Sequence, residues 1–178
     1  MKRYLKGYIL LISLILTVLL LSACTGKMTQ EPHLKIMAGE QEIRGIYYGN
    51  QYNQTKEEIE KRLKKVMEDN SWEELPYVAL DEIITIEAEN FQTEEFKVSD
   101  CILTKEGAFR YDERVTQTSA VTVKKGKADI VLSANPAASL SSDSEDYKPG
   151  NTIRGFVLRA DIEGSSFAFA FILRTDAN

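Results

Sequence analysis

Thr152-Ile153-Arg154-Gly155-Phe156-Val157-Leu158-Arg159-Ala160-Asp161-Ile162, the link Glu163-Gly164-Ser165, and Ser166-Phe167-Ala168-Phe169-Ala170-Phe171-Ile172-Leu173-Arg174-Thr175 form two long runs near the end of the chain. Successive side chains on a strand point to opposite faces. Phe167, Phe169, Phe171 and Leu173 therefore share one face, and Phe156, Leu158, Ala160 and Ile162 can form the matching one. Two such runs around a Gly-containing link read as a β-hairpin. An alternating strand buries one side, so the aromatics are core and not an exposed platform for carbohydrate or another ligand.

The same period continues toward the N-terminus. Ala120-Val121-Thr122-Val123 and Ala128-Asp129-Ile130-Val131-Leu132 flank Lys124-Lys125-Gly126-Lys127, which predicts another hairpin. Glu95-Phe96-Lys97-Val98-Ser99 alternates and runs on to Leu103; the shift from Phe96 and Val98 to Cys101 and Leu103 predicts a bulge near Asp100. Thr104-Lys105-Glu106-Gly107 is a turn. Glu82 to Glu89 places Ile84, Ile86 and Ala88 on one side, and Tyr77-Val78-Ala79-Leu80 reads as a short strand. Leu34-Lys35-Ile36-Met37-Ala38, the turn Gly39-Glu40, and Glu42-Ile43-Arg44-Gly45-Ile46-Tyr47-Tyr48 predict an opening hairpin. Eight or nine short strands with one helix predict a mainly β fold, an antiparallel β-sandwich.

The helix is expected at about 55–69. Thr55-Lys56-Glu57-Glu58 fits a capping box. Ile59, Leu63, Val66 and Met67 recur on one helical face. Glu57, Glu58 and Glu60 lie toward the start and Lys61, Arg62, Lys64 and Lys65 toward the end, as the helix dipole prefers. Its narrow apolar stripe predicts packing across a sheet with solvated lysines; a membrane or partner face is the other reading.

The N-terminus carries a different signal. Lys2, Arg3 and Lys6 precede an apolar run of 14 residues, Tyr8 to Leu21. A helix of that length spans about 21 Å, short of the roughly 30 Å of a bilayer core. A basic start, a short apolar run and small residues at the cut are the parts of a secretory signal. Ser22 and Ala23 would also suit ordinary cleavage. Together Leu21-Ser22-Ala23-Cys24 resembles the lipobox of bacterial lipoproteins. That resemblance implies a signal peptide over 1–23, cleavage between Ala23 and Cys24, and a thioether-linked diacylglycerol on Cys24. Two acyl chains suffice for stable attachment. The implied location is the extracytoplasmic face of the cell membrane, with residues 24–32 as lipidated cysteine and polar tether and 33–178 as the domain.

The first 23 residues hold three of the 22 basic residues and none of the 27 acids, so the remaining 155 residues carry a formal −8. An acidic domain is a poor binder of nucleic acid, and anionic lipid holds it off. With Cys24 lipidated, Cys101 is alone. No intramolecular disulfide or cysteine-rich zinc site then forms. Cys101 reads as a small buried hydrophobe.

The opening hairpin, Leu34 to Tyr47, and the closing hairpin, Arg154 to Phe171, resemble a group of largely uncharacterised Gram-positive (Firmicutes-type) lipoproteins. The resemblance implies an Ig-like sandwich. The chain departs from that group in placing the helix where a tryptophan-containing strand normally follows the first hairpin. No function comes with the group.

Few residues point to chemistry. There is no phosphate loop, no histidine pair and no nucleophile elbow, and His33 is the single histidine. Glu87/Glu89, Glu94/Glu95 and Asp112/Glu113 are carboxylate pairs of the kind that solvate strand edges. Asn53-Gln54-Thr55 matches a eukaryotic glycosylation acceptor, which has no meaning behind a bacterial signal. Asn135 to Gly150 reads as an exposed, mobile loop; Asp143, Glu145 and Asp146 invite a calcium reading, but the EF-hand pattern is not met. No catalytic residue, cofactor or metal is expected. The expected function is a non-catalytic surface module that binds a cell-envelope protein or polymer, for which an exposed apolar patch near Tyr47, Tyr48 and Tyr52 would speak. The alternatives are an accessory subunit of an envelope transporter or sensor complex, and a small-ligand or metal-ion binder using the Ser141–Tyr147 loop.

Overall fold

A computed structural model describes residues 30–50, 55–69 and 71–178. The signal segment, the Ala23–Cys24 junction, the start of the tether, Tyr52 and the Asn53-Gln54 pair lie outside the described residues. Residues 32–178 form one unit. Its strands are β1 (His33–Ala38), β2 (Gln41–Ile43), β3 (Ile46–Asn50), β4 (Ile83–Glu89), β5 (Glu95–Leu103), β6 (Gln117–Thr122), β7 (Lys127–Val131), β8 (Thr152–Ile162) and β9 (Ser165–Thr175). One α-helix, α1 (Lys56–Glu68), falls between β3 and β4. The fold is mainly β: a sheet of order β2-β1-β4-β7 and a sheet of order β3-β9-β8-β5-β6, every ladder antiparallel.

The closing hairpin is the centre of the larger sheet. β8 and β9 pair without interruption from Thr152↔Thr175 to Ile162↔Ser165. The two residues between them, Glu163 and Gly164, have φ of 51° and 78°. That is the primed turn whose twist suits a tight hairpin. Phe156 and Phe171 face each other across the ladder, stacked at 4.7 Å. The opposite face is buried as well: in β8 only Arg159 and Asp161 escape full burial. One-sided burial, expected from alternation, is thus corrected. The cause is α1, whose Ile59, Leu63 and Met67 pack with Cys101, Leu103, Ile153, Val157, Ala168, Ala170 and Ile172 on that second face. Phe96, Phe156, Phe169 and Phe171 lie at the other parity and are fully buried. Val98 and Phe156 share a cavity wall with Ile130 of the smaller sheet. Two sheets joined in this way fit a β-sandwich, with α1 as a third layer.

α1 starts as its cap predicts. Thr55 is extended, and its hydroxyl accepts from the Glu58 amide at 3.4 Å. Its buried residues are Ile59, Leu63 and Met67.

Four other expectations are corrected. No bulge interrupts β5, which stays in register with β6 from Glu95 to Asp100 and with β8 from Lys97 to Leu103. The apparent change of phase arises because Phe96, Val98 and Ile102 are buried on one face while Cys101 and Leu103 are buried under α1. The run from Glu42 to Tyr48 is not one strand. β2 pairs with β1, the chain leaves that sheet at Arg44-Gly45, and β3 joins β9. The runs around Lys124–Lys127 do not form a hairpin. Lys125 and Gly126 do make a tight turn, with φ of 53° and 78°, but β6 pairs with β5 and β7 with β4, in different sheets. Tyr77 makes a single parallel bridge to Arg174 and no strand.

The Asn135–Gly150 stretch is built, not bare. It holds 3₁₀ turns at Pro136–Leu140 and Ser144–Tyr147. Ala137 and Ala138 are buried with Ile102 and Ala177. Asn135 beside them is 2% exposed; its side chain accepts from the Ala137 amide at 2.9 Å and donates to the Asp100 carbonyl at 3.5 Å.

Candidate ligand groove

The carboxylates that invited a metal are engaged otherwise. Asp146 pairs with Arg110 at 2.5 Å and accepts from the Ser141 hydroxyl. Glu145 pairs with Lys148 at 2.7 Å, and Asp143 caps the Glu145 amide at 2.9 Å. Among the described residues no group of three or more His, Cys, Asp or Glu is placed to hold a metal ion. Glu87 meets Lys127 at 3.2 Å. The Arg114 side chain, hydrogen-bonded to Asp112, holds that carboxyl down at about 2. His33 is exposed at the start of β1.

Of the tyrosines expected in an exposed patch, Tyr47 and Tyr48 are described, and these two do not form one. Tyr48 is 2% exposed in the cluster beneath α1, with the Arg62 guanidinium 4.9 Å from its ring centroid. Tyr47 packs on Phe169 at 5.3 Å and Phe167 at 6.4 Å. The two tyrosines pack on opposite sides of β3, Tyr48 beneath α1 and Tyr47 on the phenylalanines, where the β3–β9 register shifts between Tyr47 and Gly49.

One charged pair inside the fold escaped the reading of the sequence. Arg154 on β8 grips Asp100 on β5 with two bonds, Nη2 to Oδ2 at 2.5 Å and Nε to Oδ1 at 3.1 Å. Arg154 Nη1 also donates to the Ser133 carbonyl at 2.7 Å. The two residues are 3% and 7% exposed. A buried charge is tolerated only when paired and hydrogen-bonded, and this pair is both. It ties the larger sheet to the segment that follows β7. A polar pair on an otherwise apolar face leaves no periodic signature, and Asp100 instead looked like the site of a bulge.

The groove itself lies where α1 begins. Antiparallel pairing places Ser99 opposite both Thr118 on β6 and Val157 on β8, and sets Lys97 opposite Arg159. Residues opposite one another share a face, so the α1 side of the sheet shows a row of hydroxyls next to Arg159. α1 covers Val157 and Cys101 with Ile59 and opens at Lys56. The result is a cavity of about 380 Å³. Ile59, Cys101 and Val157 are its buried floor, and Ser99, Thr116 and Thr118 line the β5–β6 side. Lys56 and Arg159 complete it, with the Lys56 ammonium 5.4 Å from the centroid of the Phe109 ring.

Cys101 is the buried small residue its sequence context predicts. Burial pushes its thiol up to about 11, the Thr116 hydroxyl at 3.8 Å pulls back, Asp100 adds to the rise, and Lys56 and Arg159 oppose it. At neutral pH the group is a thiol, not the thiolate that attacks substrates or binds metals. Comparison with protein-family models, with curated proteins and with solved structures finds no match.

Proposed function

We propose that the chain is a bacterial lipoprotein of the Gram-positive type. It is cleaved between Ala23 and Cys24, acylated on Cys24 and held at the extracytoplasmic face of the cell membrane. There residues 33–178 act as a non-catalytic binding module for a cell-envelope protein or polymer. The observation that carries this reading is where the folded unit starts. β1 opens at His33, so eight residues, Thr25 to Pro32, separate the lipid-bearing sulfur from the first strand. An extended segment of that length reaches roughly 25–30 Å. The interfacial layer of a bilayer is roughly 5–8 Å deep on each side. The tether is therefore long enough to carry an acidic domain clear of the lipid surface that repels it.

The finer fold belongs to the same proposal. The orders β1-β4-β7 and β9-β8-β5-β6 correspond to strands A-B-E and G-F-C-C′ of an Ig-like sandwich. β2, β3 and α1 are then an insertion between A and B. The small-ligand alternative gains from the groove beside α1. The metal alternative at the Ser141–Tyr147 loop does not, because Arg110 and Lys148 already neutralise carboxylates there.

Cys24→Ala tests the anchor. The variant should lose metabolic palmitate labelling and either leave the membrane fraction or accumulate as uncleaved precursor. Labelling that persists in the variant would reject the assignment.

A further inference from the structure

The sequence is acidic, with 27 acids against 22 bases. The wall of the α1 groove is the reverse: Lys56 and Arg159 line it, and no Asp or Glu does. Neither cation is held in an ion pair among the described residues. Both line the same cavity as the Cys101 thiol at its floor, which places them around one space. Elsewhere cations beside a cavity do carry acidic partners: Arg110 has Asp146 and Arg154 has Asp100. Two unpaired cations at one cavity repel each other, and an anion between them removes that repulsion. Three hydroxyls, on Ser99, Thr116 and Thr118, add donors at the same place. The floor of Ile59, Val157 and Cys101 is apolar and buried.

We propose that this groove binds a small organic oxyanion, a carboxylate or phosphate head held by Lys56, Arg159 and the hydroxyl row, with an apolar body against Ile59, Val157 and Phe109. A space of about 380 Å³ holds roughly a dozen waters, and hence a ligand of about ten heavy atoms. Arg supplies a planar fork and Lys a mobile point charge, a combination that suits either head. The inference deepens the reading of the domain as a binding module. It is separable from the anchor, since binding can be measured whatever the state of Cys24.

Calorimetric titration of the full chain in nonionic detergent tests it, with phenylacetate, phenyl phosphate and uncharged phenylacetamide as probes. A ligand of this size at ordinary efficiency binds in the millimolar range or tighter. At least one charged probe should saturate below about 10 mM, and phenylacetamide should bind at least roughly tenfold more weakly. The better of the two charged probes identifies the head. Lys56→Gln and Arg159→Gln should each weaken that probe by roughly tenfold, while Lys127→Gln, on the other sheet, should leave it unchanged. Phenylacetamide binding as well as the anions would overturn the proposal. So would both groove variants binding like the parent, or neither anion binding at all. The comparison of probes uses the parent chain alone, so it decides the matter even where a substitution disturbs folding.

Discussion

At the scale of single residues, Cys101 sets a pH dependence whose sign can be worked out. Its thiol is raised by burial from an ordinary 9.0 to about 11. The fold therefore favours the protonated form. Below about pH 9 both states hold the proton and the contribution is complete. Between about 9 and about 11 the unfolded chain loses the proton first, so stability falls as pH rises through that window and levels off above it. Two units correspond to roughly 2–3 kcal/mol at most. Burial raises Tyr48 too, in the same sense but at higher pH. Denaturation midpoints of the parent should drop between about pH 8 and about pH 11, and Cys101→Ala should show a shallower slope. Parallel slopes would mean that the thiol is not buried as described. The burial was legible from Cys101 standing in an apolar run. The neighbours that surround it were not. Lys56, Thr116 and Arg159 are far apart in sequence, and only the ladders and α1 bring them together. The one local hint was Arg159, a charge within the otherwise apolar Phe156–Ala160 run.

Among the elements, α1 depends on a glycine outside it. Gly107 closes the turn after β5 with φ of 81°, and its amide donates to the Thr104 carbonyl at 2.9 Å. A Cβ built there would stand 2.8 Å from Met67 Cγ and 2.9 Å from the Leu63 carbonyl carbon and oxygen. The last two are helix backbone and cannot swing aside. Gly39, in the β1–β2 turn, also has positive φ, 58°, but a Cβ there meets nothing within 4 Å. Gly39→Ala should therefore cost only the left-handed backbone penalty, about 1–2 kcal/mol. Gly107→Ala should add overpacking, for a total of about 2–5 kcal/mol. Urea denaturation of the two variants measures the difference, and equal costs would contradict the close seat of α1 on this turn. α1 could be read in advance because its signals are local: the Thr55 cap, and Ile59, Leu63 and Met67 four residues apart. The turn at Lys125-Gly126 was equally legible, yet the hairpin inferred from it is absent. A turn fixes the local path, whereas partners are chosen by distant strands, and Val121 and Ile130 went to different ones.

For the molecule as a whole, the buried strands mark where stability is concentrated. β8 and β9 have strands on both sides, and both of their faces are buried over most of their length. Opening either one exposes the phenylalanine face and the α1 face together, which amounts to unfolding the domain. β4 is flanked by β1 and β7, but Ile83 on it is 54% exposed, so its cover is thinner. β6 is an edge strand, and five of its six residues are exposed. Local openings span the range from almost nothing at such edges to the full unfolding free energy at the core. Each 1.4 kcal/mol of opening free energy is a factor of about ten in exchange rate. Amides of β8 and β9 should therefore exchange only through global unfolding and move in step with denaturant-measured stability. β4 should exchange sooner, and β6 should exchange first, by several orders of magnitude. Hydrogen exchange resolved by residue reads this order directly. Protection of β6 equal to that of β8 would require a cover on the β6 edge beyond the two sheets and α1, and the layered account would fail.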